Sequence, residues 1–317
     1  MRRGKPPVMT SSPALVSLGE PMIEFNRPRS GDGRTWLQGF GGDTSNAAIA
    51  AARQGASVGY LTSLGEDWMG EAFLALWRAE SVDATCVCRH PTAPTGVYFV
   101  THGESGHRFD FLRKGSAASL LDRRDLAVDY IAGARILHLS AISQAISPLA
   151  LQTCEAAIDA ARRAGVRVSY DTNLRLRLWD LDEAQRTIDA TAGRCDILLP
   201  SLDESRQLTR LEQPDAIVDH YLGRGPSLVA LKMGGDGALI ATRDRRMKIA
   251  PHRVEAVDAT GAGDAFDGAF LARLLAGDDP FVAGRYANVT AALKTRDYGA
   301  VAPIPRAAEV LAELARA

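Results

Sequence analysis

Neither sign of charge is in excess in this sequence: 37 Lys and Arg stand against 38 Asp and Glu, a net charge of −1 over 317 residues. Without a field to draw the chain to nucleic acid or to an anionic membrane surface, a small molecule is the favoured partner. Cysteine is sparse as well. Cys86, Cys88, Cys154 and Cys195 include one C-x-C pair but no C-x-x-C spacing and no neighbouring histidine cluster, so they read as reduced thiols of a cytoplasmic protein and not as a metal site. No run approaches about 18 consecutive apolar residues, so no transmembrane helix is expected. Internal repeats and low-complexity tracts are absent, which argues against an array architecture. Two nucleotide fingerprints are missing too. No G-x-x-x-x-G-K-S/T occurs, which excludes a P-loop, and the first apolar run leads into Gly19-Glu20-Pro21 instead of the G-x-G-x-x-G of a dinucleotide fold.

What the chain does contain is alternation. Short apolar or β-branched runs (Ala14 to Leu18, Val58 to Thr62, Ile136 to Leu139, Val166 to Asp171, Ile197 to Leu199, Leu228 to Lys232) alternate with helical patterns (Ser45 to Gln54, Trp68 to Ala79, Leu149 to Ala164, Asp182 to Thr191, Ala265 to Leu275, Phe281 to Lys294). That rhythm predicts an α/β fold, a mostly parallel sheet with helices on both faces. Gly55, Gly165 and Gly277 stand just past helical runs, as C′ glycines do. The rhythm breaks at about 21–40 and 92–114, where strands around a glycine-rich turn read as a small β-lid. Residues 13–317 are thus expected to form one domain with that lid, preceded by a frayed tail over 1–12. An exposed lid edge would suit pairing with a second copy, so a homodimer or higher homo-oligomer is expected.

Two glycine-rich loops carry the chemistry. In Asp258-Ala259-Thr260-Gly261-Ala262-Gly263-Asp264, glycines flanking one residue let backbone N–H groups converge, and the following helix adds its positive end, a setting for an anion. Asp264 beside such a cradle could take a proton from an acceptor hydroxyl during phosphoryl transfer. The same spacing also fits a tight turn with Asp264 as a helix cap. The early loop, Gly39-Phe40-Gly41-Gly42-Asp43-Thr44-Ser45-Asn46, offers Asp43 and Asn46 as a donor and acceptor set suited to hydroxyls, or a capped helix start with Thr44 or Ser45 as cap.

The pairing of these two loops resembles the ribokinase or PfkB family of carbohydrate kinases over roughly Leu15 to Leu314, and Gly65-Glu66-Asp67-Trp68-Met69-Gly70 is similar to that family's G-x-D-x-x-G segment. Within it the chain is most similar to 2-keto-3-deoxygluconate kinases, on Thr95-Gly96-Val97-Tyr98, Leu112-Arg113-Lys114-Gly115-Ser116-Ala117 and Asp171-Thr172-Asn173-Leu174-Arg175-Leu176-Arg177-Leu178-Trp179. The resemblance implies a ribokinase-like three-layer fold and ATP-dependent phosphorylation of a sugar or sugar acid. Asp264 would be the catalytic base, with Gly261, Ala262 and Gly263 as the anion cradle. Gly42, Asp43, Asn46, Tyr98, Phe111, Arg113 and Arg175 would meet the sugar. Asn173, Ser201, Glu204, Lys232, Gly234, Gly235, Asp236, Gly237 and Asn288, with Gly261 and Gly263, would meet the nucleotide. The implied cofactors are ATP and Mg2+, with Glu204 as outer-shell carboxylate and room for a monovalent cation. Two arginines near one pocket favour a sugar acid, because a guanidinium binds a carboxylate through two parallel N–H bonds. Phe111 stands where that branch tends to carry tyrosine, and Ser201-Leu202-Asp203-Glu204 replaces the wider family's Asn-x-x-Glu. Fructokinase, ribokinase and nucleoside kinase remain alternatives in the same class, and a sugar-binding regulator without turnover is the alternative outside it.

Overall fold

A computed structural model describes residues 12–29, 33–103 and 106–316, so residues 1–11 of the expected tail lie outside the described residues. The strands are β1 (Leu15–Leu18), β2 (Met22–Asn26), β3 (Leu37–Gly41), β4 (Val58–Leu61), β5 (Ser63–Gly65), β6 (Val82–Asp83), β7 (Cys88–His90), β8 (Gly96–Gly103), β9 (Gly106–Leu112), β10 (Ile136–Ser140), β11 (Arg167–Asp171), β12 (Ile197–Leu198), β13 (Leu228–Lys232), β14 (Ala238–Thr242) and β15 (Arg246–Ile249). The helices are α1 (Asp43–Arg53), α2 (Trp68–Ala79), α3 (Val128–Ala132), α4 (Ala141–Ala145), α5 (Pro148–Arg163), α6 (Leu181–Ala192), α7 (Leu202–Thr209), α8 (Pro214–Leu222), α9 (Ala262–Ala276), α10 (Pro280–Lys294) and α11 (Ala307–Leu314).

Among the described residues, nine strands form the main sheet in the order β15-β14-β13-β12-β11-β10-β1-β4-β6, parallel except at β13–β14 and β14–β15. Its central strands are apolar throughout because helices cover both faces: all four residues of β1 and all five of β10 are buried. From β1 the chain moves one way to β4 and β6 and later the other way through β10 to β13. The strand order therefore reverses beside β1, and a crevice opens at the carboxyl ends there. The segments that break the rhythm form a second sheet, β3-β2-β8-β9, held together by Phe25 stacked on Phe99 and Tyr98 stacked on Phe111.

Local signals account for most helix ends. Asp67 caps α2 by accepting from the Gly70 amide at 2.7 Å, and Ser147 caps α5 ahead of Pro148. Gly55, Gly165 and Gly277 take positive φ of 89°, 73° and 98°, as their C′ positions require. The two helices that follow the glycine-rich loops start earlier than their apolar patterns suggest. Helix α1 begins at Asp43 behind Gly42 (φ 100°), and α9 begins at Ala262 behind Gly261 (φ 76°), neither with a side-chain cap. Thr44 and Ser45 are therefore not caps, and Asp264 lies inside the first turn of α9.

Helix α9 is buried nearly all round, and it packs on α1 through small side chains. A Cβ on Gly268 would lie 2.1 Å from the Ala47 carbonyl oxygen and 2.6 Å from the Ala50 Cβ. Gly268→Ala is therefore expected to destabilise the fold by about 1–3 kcal/mol despite alanine's higher helix propensity. A denaturant titration showing an unchanged or raised midpoint would contradict the close approach.

Candidate functional site

The two glycine loops meet through their helices. Asn46, one turn into α1, donates from Nδ2 to Asp264 Oδ2 at 2.7 Å. Its Oδ1 is buried without a partner among the described residues. Gly42 must be glycine, since a Cβ there would sit 2.2 Å from the Glu20 carbonyl oxygen. The first turn of α9 carries amide donors that have no intrahelical acceptor, and Gly261 to Asp264 line the cavity. An anion at that helix start would meet both the donors and the dipole.

Further groups arrive from the carboxyl ends of the sheet. Asp43 accepts from the Ser140 hydroxyl at the end of β10 and from Asn173 Nδ2 at 3.2 Å. Lys232, ending β13, places Nζ 3.1 Å from Asp171 and 2.9 Å from Asp267. Burial pushes Asp171 upward, but the Lys232 ammonium holds it below the usual carboxylate range, whereas burial drives Asp267 well above it. Asp264 is raised to about 7, first by burial and then by the charges of Asp43 and Asp171, with the Asn46 hydrogen bond opposing. A carboxyl poised near neutrality can accept a proton from a hydroxyl and return it to water.

The lid sheet supplies the opposite wall. The Tyr98 hydroxyl donates to the Glu24 carboxylate, and Arg113, with its guanidinium over the Phe111 ring, pairs with buried Glu20. Arg175 Nη1 bonds the Glu204 carboxylate at 2.8 Å and the Leu174 carbonyl at 2.7 Å. Asn288 Nδ2 donates to the Ala250 carbonyl at 3.0 Å. The Gly234–Asp236 turn follows β13, and a Cβ on Gly237 would clash with the Ile249 carbonyl oxygen at 2.1 Å.

Every residue singled out in the sequence lines one cavity of about 1800 Å3: Gly42, Asp43, Asn46, Tyr98, Phe111, Arg113, Asn173, Arg175, Ser201, Glu204, Lys232, Gly234 through Gly237, Gly261 through Asp264, and Asn288. Three of them are engaged otherwise than their motifs suggest. Lys232 is committed to two carboxylates, and Arg113 and Arg175 each hold an acidic side chain of the chain itself. Ser140 and Asp267 escaped notice. Their only signal is position, at a strand's carboxyl end and one turn after Asp264. Glu204 leaves carboxylate surface in the cavity wall beside Arg175, and among the described residues no three acidic, histidine or cysteine side chains cluster tightly enough to hold a bare metal ion. That donor set fits a hydrated cation carried on phosphate.

The chain belongs to the pfkB family of carbohydrate kinases, whose model matches residues 12–307. Its activity is accordingly ATP-dependent phosphorylation of a carbohydrate. It is 33% identical to fructokinase-1 of Oryza sativa subsp. japonica over 316 residues, 95% of this chain and 97% of the relative. It is equally 33% identical to the 2-dehydro-3-deoxygluconokinase of Thermoproteus tenax over 310 residues, 94% of each. A double-mutant fructokinase of Vibrio cholerae O395, solved with fructose, ADP and a potassium ion bound, superposes at a TM-score of 0.85 with 28% identity, over 96% of this chain and 99% of that one. No helix among the described residues is long and apolar enough to cross a membrane.

The Asp264 environment has a consequence for stability. Its folded-state pKa near 7 lies above the 3.8 of a free aspartate, so the folded protein holds this proton more tightly. The contribution is full below about pH 4 and is lost as pH rises through 7. Asp264→Asn should therefore melt closer to the parent at pH 5 and gain on it by pH 8, by several kcal/mol at most. Melting curves whose difference is flat between those pH values would disprove the raised pKa.

Proposed function

We propose that the enzyme phosphorylates the terminal hydroxyl of 2-keto-3-deoxygluconate, or a closely related six-carbon keto acid, giving the 6-phosphate. The observation that carries the chemistry is the Asp264 carboxyl, half-buried in the first turn of α9, tied to Asn46 and titrating near neutrality in the shared cavity. The acceptor oxygen attacks the γ-phosphorus, the bond to the β–γ bridging oxygen breaks, ADP leaves, and the proton passes to Asp264. Amides at Gly261, Gly263 and Asp264 receive the transferring oxygens, while that of Ala262 donates to the Ala259 carbonyl, and Asp43 and Asn46 orient the sugar. Mg2+ neutralises phosphate charge when bound, and Glu204 is the carboxylate proposed to hold it through water. Ser201, Asn173, Asn288 and the Gly234–Gly237 turn are assigned to the nucleotide. The Tyr98 and Phe111 wall serves as a lid that excludes water, and the protein works in the cytoplasm as a homo-oligomer.

Support for an acid comes from Lys114 and Arg177, which line the cavity near Arg113 and Arg175 in sequence and pair with no carboxylate among the described residues. A neutral ketose is the second reading. It is favoured by the equal identity to a fructokinase and by the acidic partners already held by Arg113 and Arg175.

A coupled ADP-release assay over keto acids, neutral ketoses, pentoses and nucleosides separates the readings. The keto acid should exceed fructose in kcat/KM by ~100-fold, the value of one or two well-placed charge-assisted bonds; a fructose preference reverses the assignment. Asp264→Asn should lower kcat by ~10²–10⁴-fold with little change in acceptor affinity. Turnover near the parental rate would remove Asp264 from the role of base.

A further inference from the structure

Ser140 ends β10, is only 1% exposed and does not line the cavity, yet it bonds a residue that does. Its hydroxyl donates to Asp43 Oδ2. The surroundings of the hydroxyl fix the direction of that bond. Ser140 Oγ accepts from the Ser143 amide at 3.3 Å, capping α4, and a backbone N–H can only donate. The Ser143 hydroxyl spends its own proton on the Leu18 carbonyl at the end of β1, at 3.1 Å, so the Ser140 proton is left for the carboxylate. Gly19 makes room for this approach: a Cβ there would lie 2.6 Å from Ser143 Oγ and 2.1 Å from Thr44 Oγ1. Asn173, just beyond β11, brings Nδ2 to the same Asp43 Oδ2 at 3.2 Å. A side-chain amide carries two N–H bonds, so one remains for the nucleotide. Both side-chain donors thus converge on Oδ2, and no side chain among the described residues bonds Oδ1. Burial raises the pKa of the Asp43 carboxyl, and the Ser140 bond is foremost among the effects that oppose it.

We infer that Ser140 is a positioning residue that holds Asp43 Oδ2 from the sheet side, so that Oδ1 is the oxygen presented to an acceptor hydroxyl. An unrestrained aspartate turns easily about its last torsion, and its two oxygens are interchangeable. Fixing Oδ2 removes that freedom and aims the lone pairs of Oδ1 in one direction, which selects among hydroxyls by where they project. Ser140 therefore acts on acceptor recognition without touching the acceptor. The nucleotide, which Asp43 is not proposed to meet, should not sense its loss. The inference rests on the reading of Asp43 as an acceptor contact.

The test is a double-mutant cycle of Ser140→Ala and Asp43→Ala, read by melting temperature and by steady-state kinetics with 2-keto-3-deoxygluconate, fructose and ATP. Ser140→Ala should raise the acceptor KM ~10-fold while kcat and the KM for ATP stay within about twofold of the parent. In the Asp43→Ala background the same change should alter acceptor kcat/KM by less than about twofold. Loss of the α4 cap is common to both backgrounds and cancels, so the melting penalties of the two single variants should also fail to add. Ser140→Cys, similar in shape but a weak donor, should behave as Ser140→Ala does. An unchanged acceptor KM, an equal rise in the KM for ATP, or a Ser140→Ala penalty on acceptor kcat/KM that persists in Asp43→Ala would each overturn the proposal. Should Ser140→Ala not fold, Ser140→Cys carries the same cycle, and failure of both to fold overturns it. Because melting needs no turnover, a parent inactive on every sugar would count against the kinase reading while non-additive melting still upheld the hold on Asp43; additive melting overturns that hold whatever the activity.

Discussion

The approach of α1 to α9 is the constraint on which the cavity depends. Asp264 and Gly268 stand four residues apart on one face of α9, and Asn46 and Ala50 do the same on α1, so a single line of contact carries both the close packing and the polar bond. Were the helices separated by the width of a methyl group at Gly268, Asn46 would no longer reach Asp264. The glycines at 42 and 261 complete the arrangement by letting the chain turn into each helix with positive φ, and neither helix start has a side-chain cap. Packing economy and an anion-ready helix start are therefore the same feature.

Charge at the carboxyl ends of the sheet then sets the chemistry of that meeting point. Asp43, Asp171, Asp264 and Asp267 crowd one floor around the Lys232 ammonium, which reaches two of them directly. Burial raises the pKa of Asp43, Asp264 and Asp267, and repulsion among the neighbouring carboxylates adds to it. For Asp264 the rise, to about 7, places its titration near neutrality.

Much of this was legible in residue patterns and some of it was not. Central strands declared themselves because burial on both faces demands unbroken apolar runs, and Trp68–Ala79 and Leu228–Lys232 match their predicted spans. Both glycine loops were visible because positive φ and close backbone approach leave few other residues possible. The starts of α1 and α9 were placed two or three residues late, since glycine caps carry no side-chain signature and the first turns are small or polar. Helices α7, α8 and α11 passed unseen because at 8, 9 and 8 residues they are too short to establish a period. Long-range pairs such as Arg113 with Glu20, 93 residues apart, leave no local trace.

Ion pairing also bears on how the enzyme could tell an acid from a neutral sugar. A guanidinium already bonded to a carboxylate offers a second carboxylate little net attraction, because the pair is close to neutral and the newcomer must displace or share its partner. Arg113 with Glu20 and Arg175 with Glu204 are such pairs, the first almost fully buried and the second half-exposed on its arginine side. They supply shape and fixed hydrogen-bond directions more than field. Lys114, Arg177 and Arg253 line the cavity and hold no carboxylate among the described residues, so they can add positive charge to its wall. On the proposed reading, discrimination by charge would fall to these unpaired cations and discrimination by geometry to the paired arginines. On the same reading a sugar acid would gain its advantage mainly through long-range attraction, which salt screens, whereas the hydroxyl contacts proposed for Asp43 and Asn46 would persist at any ionic strength.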